Sequence, residues 1–241
     1  MGYIQSFNRY ETKYLLTAEQ KATFLDEAGS LLERDKYGQY SICNIYLDTE
    51  DFYFIRHSLD RPMYKEKMRI RSYGNADIND KVFFEIKKKY NGIVYKRRIT
   101  ISLKEAEDYI QHRITPHSLE GYHANQIFSE IDHLMNKYSP SPKLYLAYDR
   151  EAFSMTNDRD LRITFDCNIR GRWDDLTLAN DLNTSLLDTG ITDYSLMEIK
   201  SSGAIPLEIC AVLSKHKIHP ASFSKYGRIF VERTKMITSG G

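Results

Sequence analysis

Apolar and charged residues alternate with a period of two in segment after segment of this chain. That alternation marks strands whose side chains point to opposite faces. Within 63–90, Lys67, Arg69 and Arg71 share one parity and Met68 and Ile70 take the other. Further along, Glu85, Lys87 and Lys89 oppose Phe84 and Ile86 in the same way. The pattern predicts six more strands, over 7–16, 40–48, 93–101, 143–153, 161–168 and 194–201. Their shared faces carry Arg9, Glu11 and Lys13; Lys96 and Arg98; Tyr148 and Arg150; Arg162, Thr164 and Asp166; and Glu198 and Lys200. Asn91-Gly92 between two such runs is a two-residue hairpin signal. Helices are announced by capping boxes, Thr17 with Gln20 and Ser102 with Glu105, which open helices to about 32 and 112. Ile127, Ile131, Leu134 and Met135 lie at helical spacing over 123–138, before Pro140 and Pro142. Shorter helical segments are expected from the turn at Thr49 to 59, over 207–216 and from about 225 to 236, whereas 170–193 reads as irregular.

Eight strands and some five helices, with no internal repeat or linker, predict one α+β domain over 1–241 with its core over 7–236. The charged faces allow two readings. They are the solvated side of an ordinary antiparallel sheet. Alternatively they line a closed eight-stranded antiparallel barrel, with helices packed around its outside. Lys plus Arg (34) against Asp plus Glu (33) leaves a net charge of +1, which argues against a general nucleic-acid coat but leaves a local basic site open. Cys43, Cys167 and Cys210 are odd in number and far apart, so reduced, buried thiols are expected. There is no secretory leader and no apolar run of about 18 residues, so the expected location is the cytoplasm.

The candidate inward set is Lys13, Lys67, Arg69, Arg71, Lys87, Arg150 and Arg162, with Glu11, Glu85, Glu198 and Lys200 among them. So many cations in a cavity require counter-charge, because a buried ion without a partner costs several kcal/mol, on the order of 3–5. Glutamates meet part of that need, and a polyanion such as triphosphate or polyphosphate would meet more. Glu198 is either a ligand for Mg2+ or Mn2+ shared with phosphates or an ion-pair partner; Glu11 is a weaker candidate of the same kind. Ser224-Lys225-Tyr226 opens a helix, as an anion site or simply a cap. The seven histidines show no ligand spacing, and no glycine-rich phosphate loop occurs.

The ordered strings RYETKYLL, IYLD, KMRIRSYG, FEIKKK, YDREAF, LRITFD, LMEIKS and SFSKYGRIF resemble the VTC domain. That is the polyphosphate polymerase domain of the vacuolar transporter chaperone complex, in the triphosphate tunnel metalloenzyme superfamily. The resemblance implies an eight-stranded tunnel that binds ATP and Mn2+ or Mg2+ and transfers the γ-phosphate to polyphosphate. It implies phosphate contacts or catalytic roles for Lys13, Arg69, Arg71, Lys87, Arg150 and Lys225. It implies substrate binding by Tyr148, Arg162 and Ser224, a looser match at Arg56, and metal binding by Glu198. Lys200 and Glu11 join the substrate and metal sets by parity. The first strand departs from the ExExK of the hydrolytic branch, with Arg9 in place of its first glutamate, which favours a polymerase over a two-metal hydrolase. A metal-dependent triphosphatase and a non-catalytic polyphosphate-binding module stay open as alternatives. No SPX sensor or membrane helix occurs in the sequence, so export through a separate membrane partner is also left open. Nucleic acid is not an expected partner.

Overall fold

Both capping boxes form as their spacing dictates. Thr17 accepts from the Gln20 amide at 3.1 Å while Gln20 Oε1 accepts from the Thr17 amide, and Ser102 and Glu105 repeat the exchange. In this computed structural model, which describes residues 10–91, 93–158, 160–179 and 193–239, they start the first and third helices. The strands are β1 (Tyr10–Thr17), β2 (Leu32–Asp48), β3 (Tyr64–Tyr73), β4 (Lys81–Tyr90), β5 (Ile93–Ser102), β6 (Ser141–Met155), β7 (Arg162–Arg172) and β8 (Tyr194–Ser201). The helices are α1 (Ala18–Ala28), α2 (Tyr53–Leu59), α3 (Leu103–His112), α4 (Gly121–Tyr138), α5 (Leu207–Lys215) and α6 (Lys225–Ser239). The strands form one antiparallel sheet in the order β1-β8-β7-β6-β2-β3-β4-β5, so the fold is α+β.

Four boundaries differ from the sequence reading. The first helix stops at Ala28 in a short 3-10 turn, Gly29–Leu31, and β2 begins at once, eight residues before its expected start. The early part of β2 is largely exposed, so burial gave it no apolar signature. Similarly β7 runs on to Arg172 into a stretch expected to be irregular, and β6 takes in Pro142. Arg9 and Gly92 lie outside the described residues, although Asn91 takes the left-handed conformation (φ 45°) suited to a tight turn. The three cysteines form no disulfide; Cys43 is buried as expected, but Cys167 and Cys210 are partly exposed. Among the described residues no helix is long and apolar enough to cross a membrane.

The chain divides into two compact units. The first comprises Met1–Tyr40, Tyr148–Ile169 and Gly190–Ser224. Its core sets Leu16 of β1, Ile163 and Phe165 of β7 and Met197 and Ile199 of β8 against Phe24 and Ala28 of α1 and Ile209 and Leu213 of α5. The outer edge of β1 is covered by the chain beyond α5: the Ala221 amide donates to the Lys13 carbonyl at 2.7 Å, and Tyr14 bridges Pro220.

The second unit comprises Ser41–Ala147, Arg170–Thr189 and Lys225–Gly241. The apolar parity of β3, β4 and β5 (Met68, Ile70, Phe84, Ile86, Ile99, Ile101) packs on Ala106 and Tyr109 of α3 and on Ile127, Ile131, Leu134 and Met135 of α4. The opposite parity is thereby left for polar side chains. Asp48, at the end of β2, is fully buried and accepts from the amides of Thr49, Phe54 and Ile55 and from the Tyr226 hydroxyl at 2.9 Å. It thus caps the entry to α2 and pins the first turn of α6, and Tyr226 also packs on Tyr46 with ring centroids 4.7 Å apart. Burial raises the Asp48 pKa, and these four donors work against that rise.

Asp48→Ala would orphan three amides and a buried hydroxyl together. It should cost about 3 kcal/mol in urea unfolding, whereas Tyr226→Phe, which removes one donor, should cost about 1 kcal/mol. Equal losses in the two variants would show that Asp48 is not the shared anchor.

Candidate functional site

The register of β3, β4 and β5 fixes what shares the polar face of the second unit. Directly opposed residues form cross-strand rows: Lys65–Lys89–Val94, Lys67–Lys87–Lys96, Arg69–Glu85–Arg98 and Arg71–Phe83–Thr100. Those four rows hold eight cations (Lys65, Lys67, Arg69, Arg71, Lys87, Lys89, Lys96, Arg98) and one carboxylate, Glu85. Like charges directly opposite each other destabilise a sheet, so this arrangement is not explained by folding alone.

Glu85 is 1% exposed and is the hub. Its Oε2 lies 2.8 Å from Arg69 Nε, 2.7 Å from Arg69 Nη2 and 3.9 Å from Arg71 Nη1, while its Oε1 lies 2.6 Å from Lys96 Nζ. Burial opposes its charge, but Arg69, Arg71 and Lys96 outweigh that and hold its pKa down to about 2. Lys96 shows the converse balance. Burial, with Arg71 and Arg69 beside it, takes its pKa down to about 8 despite the pull of Glu85. Two β2 residues orient the arginines. Asn44, buried and donating to the Leu146 carbonyl, accepts from Arg71 Nε at 3.0 Å. The Tyr46 hydroxyl accepts from Arg69 Nη1 at 3.2 Å.

The polar face of the first unit follows a different rule. Glu198 of β8 lies directly opposite Lys13 of β1 and Thr164 of β7. Its carboxylate is 3.1 Å from Lys13 Nζ, 2.9 Å from Lys200 Nζ and 3.8 Å from Arg150 Nη2. Lys13 also meets Glu11 at 3.3 Å, and Lys200 meets Glu11 at 3.9 Å. Arg150 grips the fully buried Asp166 with two bonds of 2.6 and 2.7 Å and lies over the buried Tyr148 ring. Burial works against the Lys13 charge, but Glu198 and Glu11 raise its pKa above the usual value; for Arg150, Tyr148 and Asp166 likewise prevail over burial. Three cations (Lys13, Arg150, Lys200) therefore stand against three carboxylates (Glu11, Asp166, Glu198).

The structure gathers Lys13, Glu11, Glu198, Lys200, Arg150 and Tyr148 into one network, and Arg69, Arg71 and Lys87 into the other. Arg162 lies opposite Lys200 in register but is exposed and pairs with Asp35 at 3.4 Å. Arg56 sits on α2, exposed, with local bonds to Asp51. It lines a cavity of about 350 Å³ with Tyr53, His57, Leu59 and Asp60, which contains none of the Glu85 network. Lys225 is the first residue of α6 and Ser224 precedes it, both partly buried. Sequence reasoning assigned no role to Lys96, Asn44, Tyr46 or Asp166. Lys96 was detectable once β4 and β5 were paired across the Asn91 turn, which sets it opposite Lys87. Asn44 and Tyr46 lie in a stretch of β2 where every residue from Ile42 to Asp48 is buried, so parity singled out neither.

Among the described residues, no three His, Cys, Asp or Glu side chains form a self-sufficient metal site. Glu198 and Glu11 instead fit the mode in which a hard cation takes one or two carboxylates and completes its shell with water and phosphate oxygens. Thr164 supports that fit: it is 1% exposed, faces Glu198 across the strands, and its hydroxyl has no hydrogen-bond partner among the described residues.

Two solved structures share the fold. One is a candidate adenylate cyclase from Bacillus halodurans, 13% identical, with a TM-score of 0.52 over 90% of this chain and 95% of that one. The other is a candidate adenylyl cyclase from Hippeastrum with a dominant triphosphatase activity, 12% identical, with a TM-score of 0.51 over 92% and 95%. No curated protein matches the chain. The model of the VTC domain matches residues 8–230, a span that contains all eight strands. The chain therefore belongs to the VTC domain family.

Proposed function

We propose that this protein is an ATP-dependent polyphosphate polymerase, a phosphotransferase that moves the γ-phosphoryl group of ATP to the end of a polyphosphate chain. The observation that carries the reading is the face of β3, β4 and β5, where eight cations stand to one carboxylate. A polyanion suits so cationic a face, and arginine forks match phosphate oxygens in pairs. The proposal includes closure of the sheet into a barrel and a cytoplasmic location.

Arg69, Arg71, Lys87 and Lys96 would hold phosphate oxygens, as would Lys13, Arg150 and Lys225. Tyr148, Arg162, Lys200 and Ser224 would line the substrate, and Arg56 would contribute only through its looser match. Glu198, with Glu11, would hold Mn2+ or Mg2+, which supplies charge neutralisation on the phosphates. In the reaction the terminal oxygen of the acceptor forms a bond to the γ-phosphorus. The bond from that phosphorus to the β–γ bridging oxygen breaks, and ADP leaves with the electron pair. The acceptor oxygen is already ionised, so no protein base or nucleophile is needed, and fixed cations stabilise the charge spread over the transferring group. A second reading, triphosphatase, has water as the acceptor and orthophosphate as the product. The activity stated for the Hippeastrum neighbour favours it.

Incubation with ATP and Mn2+ should yield a ladder of polyphosphate on a polyacrylamide gel; orthophosphate alone would select the triphosphatase instead. Arg69→Ala and Lys87→Ala should each lower turnover about 100-fold, with Lys87→Ala changing stability by no more than about 0.5 kcal/mol. Unchanged turnover in either variant would return these strands to ordinary solvated surface.

A pH dependence follows from Lys96. A bound polyanion favours the protonated amine, so the amine's loss of a proton above a pKa of about 8 should weaken binding. Calorimetric titration with inorganic triphosphate should show affinity falling as pH rises through about 8. Lys96→Arg keeps its charge, so it should remove that decline while reporting the ligand's own titration. Parallel pH profiles would refute the assignment.

A further inference from the structure

The cation rows do not end where the proposed triphosphate contacts end. Beyond Lys67–Lys87–Lys96 comes the row Lys65–Lys89, one pleat nearer the Asn91 turn and on the same face. Lys65 donates to the Ser58 carbonyl at 3.2 Å. Among the described residues, neither it nor Lys89 nor the nearby Arg61 pairs with a carboxylate. The reverse face gives the contrast: there Lys88 and Arg97 share Glu130, at 3.2 and 3.7 Å. The three cations repel one another, and after burial Lys89 and Arg61 are what hold the Lys65 pKa below its ordinary value.

We infer that Lys65, Lys89 and Arg61 form an outer subsite for a linear polyphosphate chain, continuous with the cation rows within. The inference rests on the proposed function and extends it to the length of ligand held. Successive residues of a strand advance by about 3.4 Å, so the six steps from Arg71 to Lys65 span about 20 Å. A triphosphate is far shorter than that span and leaves the outer row without counter-charge. A longer chain of the same repeating anion reaches it. Chemistry also separates this ligand from single-stranded RNA, which needs aromatic platforms for its bases. The nearby Tyr64, Tyr90 and Tyr95 have the opposite parity and point to the reverse face.

The test compares the full-length protein with a Lys65→Ser/Lys89→Ser double variant. Calorimetry at fixed moderate salt measures binding of inorganic triphosphate, long-chain polyphosphate and a single-stranded RNA. The double variant should bind triphosphate within about twofold of the parent and long-chain polyphosphate about tenfold more weakly, as expected for two partly buried charge contacts. A Lys65→Arg/Lys89→Arg variant should restore long-chain binding, and unchanged melting temperatures should show that both variants fold. An equal loss for both phosphate ligands, or no loss for either, overturns the subsite. So does RNA binding as tight as that of polyphosphate with the same dependence on the two lysines. Failure of the parent to bind triphosphate at all is a different result, and it overturns the functional reading itself.

Discussion

Like charges aligned across neighbouring strands are the constraint on which the second unit depends. Three lysines stand in one row, and the next row places Glu85 between two arginines. Glu85 is therefore less a surface ion-pair partner than the one carboxylate set within these cationic rows. The opposite parity compensates through an apolar stretch, Met68, Ile70, Phe84, Ile86, Ile99 and Ile101, sealed under α3 and α4. Hydrophobic burial on one side of the same strands offsets the electrostatic cost on the other. Asn44 and Tyr46 restrict the arginines from β2, so the face is fixed before any ligand arrives.

The first unit uses the same pleat for a different electrostatic end. Among the described residues its network sets Glu11, Asp166 and Glu198 against Lys13, Arg150 and Lys200. Such a network satisfies its own charges, yet Glu198 and the unpartnered Thr164 hydroxyl leave oxygen atoms suited to a hard cation. The difference between the two units is one of surplus against balance. The rows of the second set eight cations to one carboxylate, whereas in the first a cation would have to displace lysines that already occupy the carboxylates.

Much of this was legible in the sequence, for a physical reason. Period-two alternation is strong where one face is apolar, so β5 and β8 were read nearly to the residue and β3 and β4 fall within the expected 63–90. The capping boxes at Thr17 and Ser102 located two helix starts because that chemistry is local. The early half of β2 was missed because a largely exposed strand carries no apolar parity. Lys96 was seen as one member of a strand face, but its tie to Glu85 depends on register, which a single strand cannot reveal. Asn44 and Asp166 act through buried polar bonds, and an isolated Asn or Asp in a strand gives no sign of its partner. The parity of Arg162 was correct, but its exposure and its pairing with Asp35 arise from the extended β2 that the sequence concealed.

The row Lys67–Lys87–Lys96 has a further consequence for how this protein would respond to selection. Replacing Lys67 or Lys87 takes a like-charge neighbour out of the row, whereas replacing Lys96 also takes a partner from the buried Glu85, so selection for heat resistance would act unequally on its members. Laboratory evolution for thermal robustness alone would keep Lys96 longer than its two neighbours in the row. The row thus divides one face of the sheet into a lysine tied to the buried carboxylate and two that stand beside like charge.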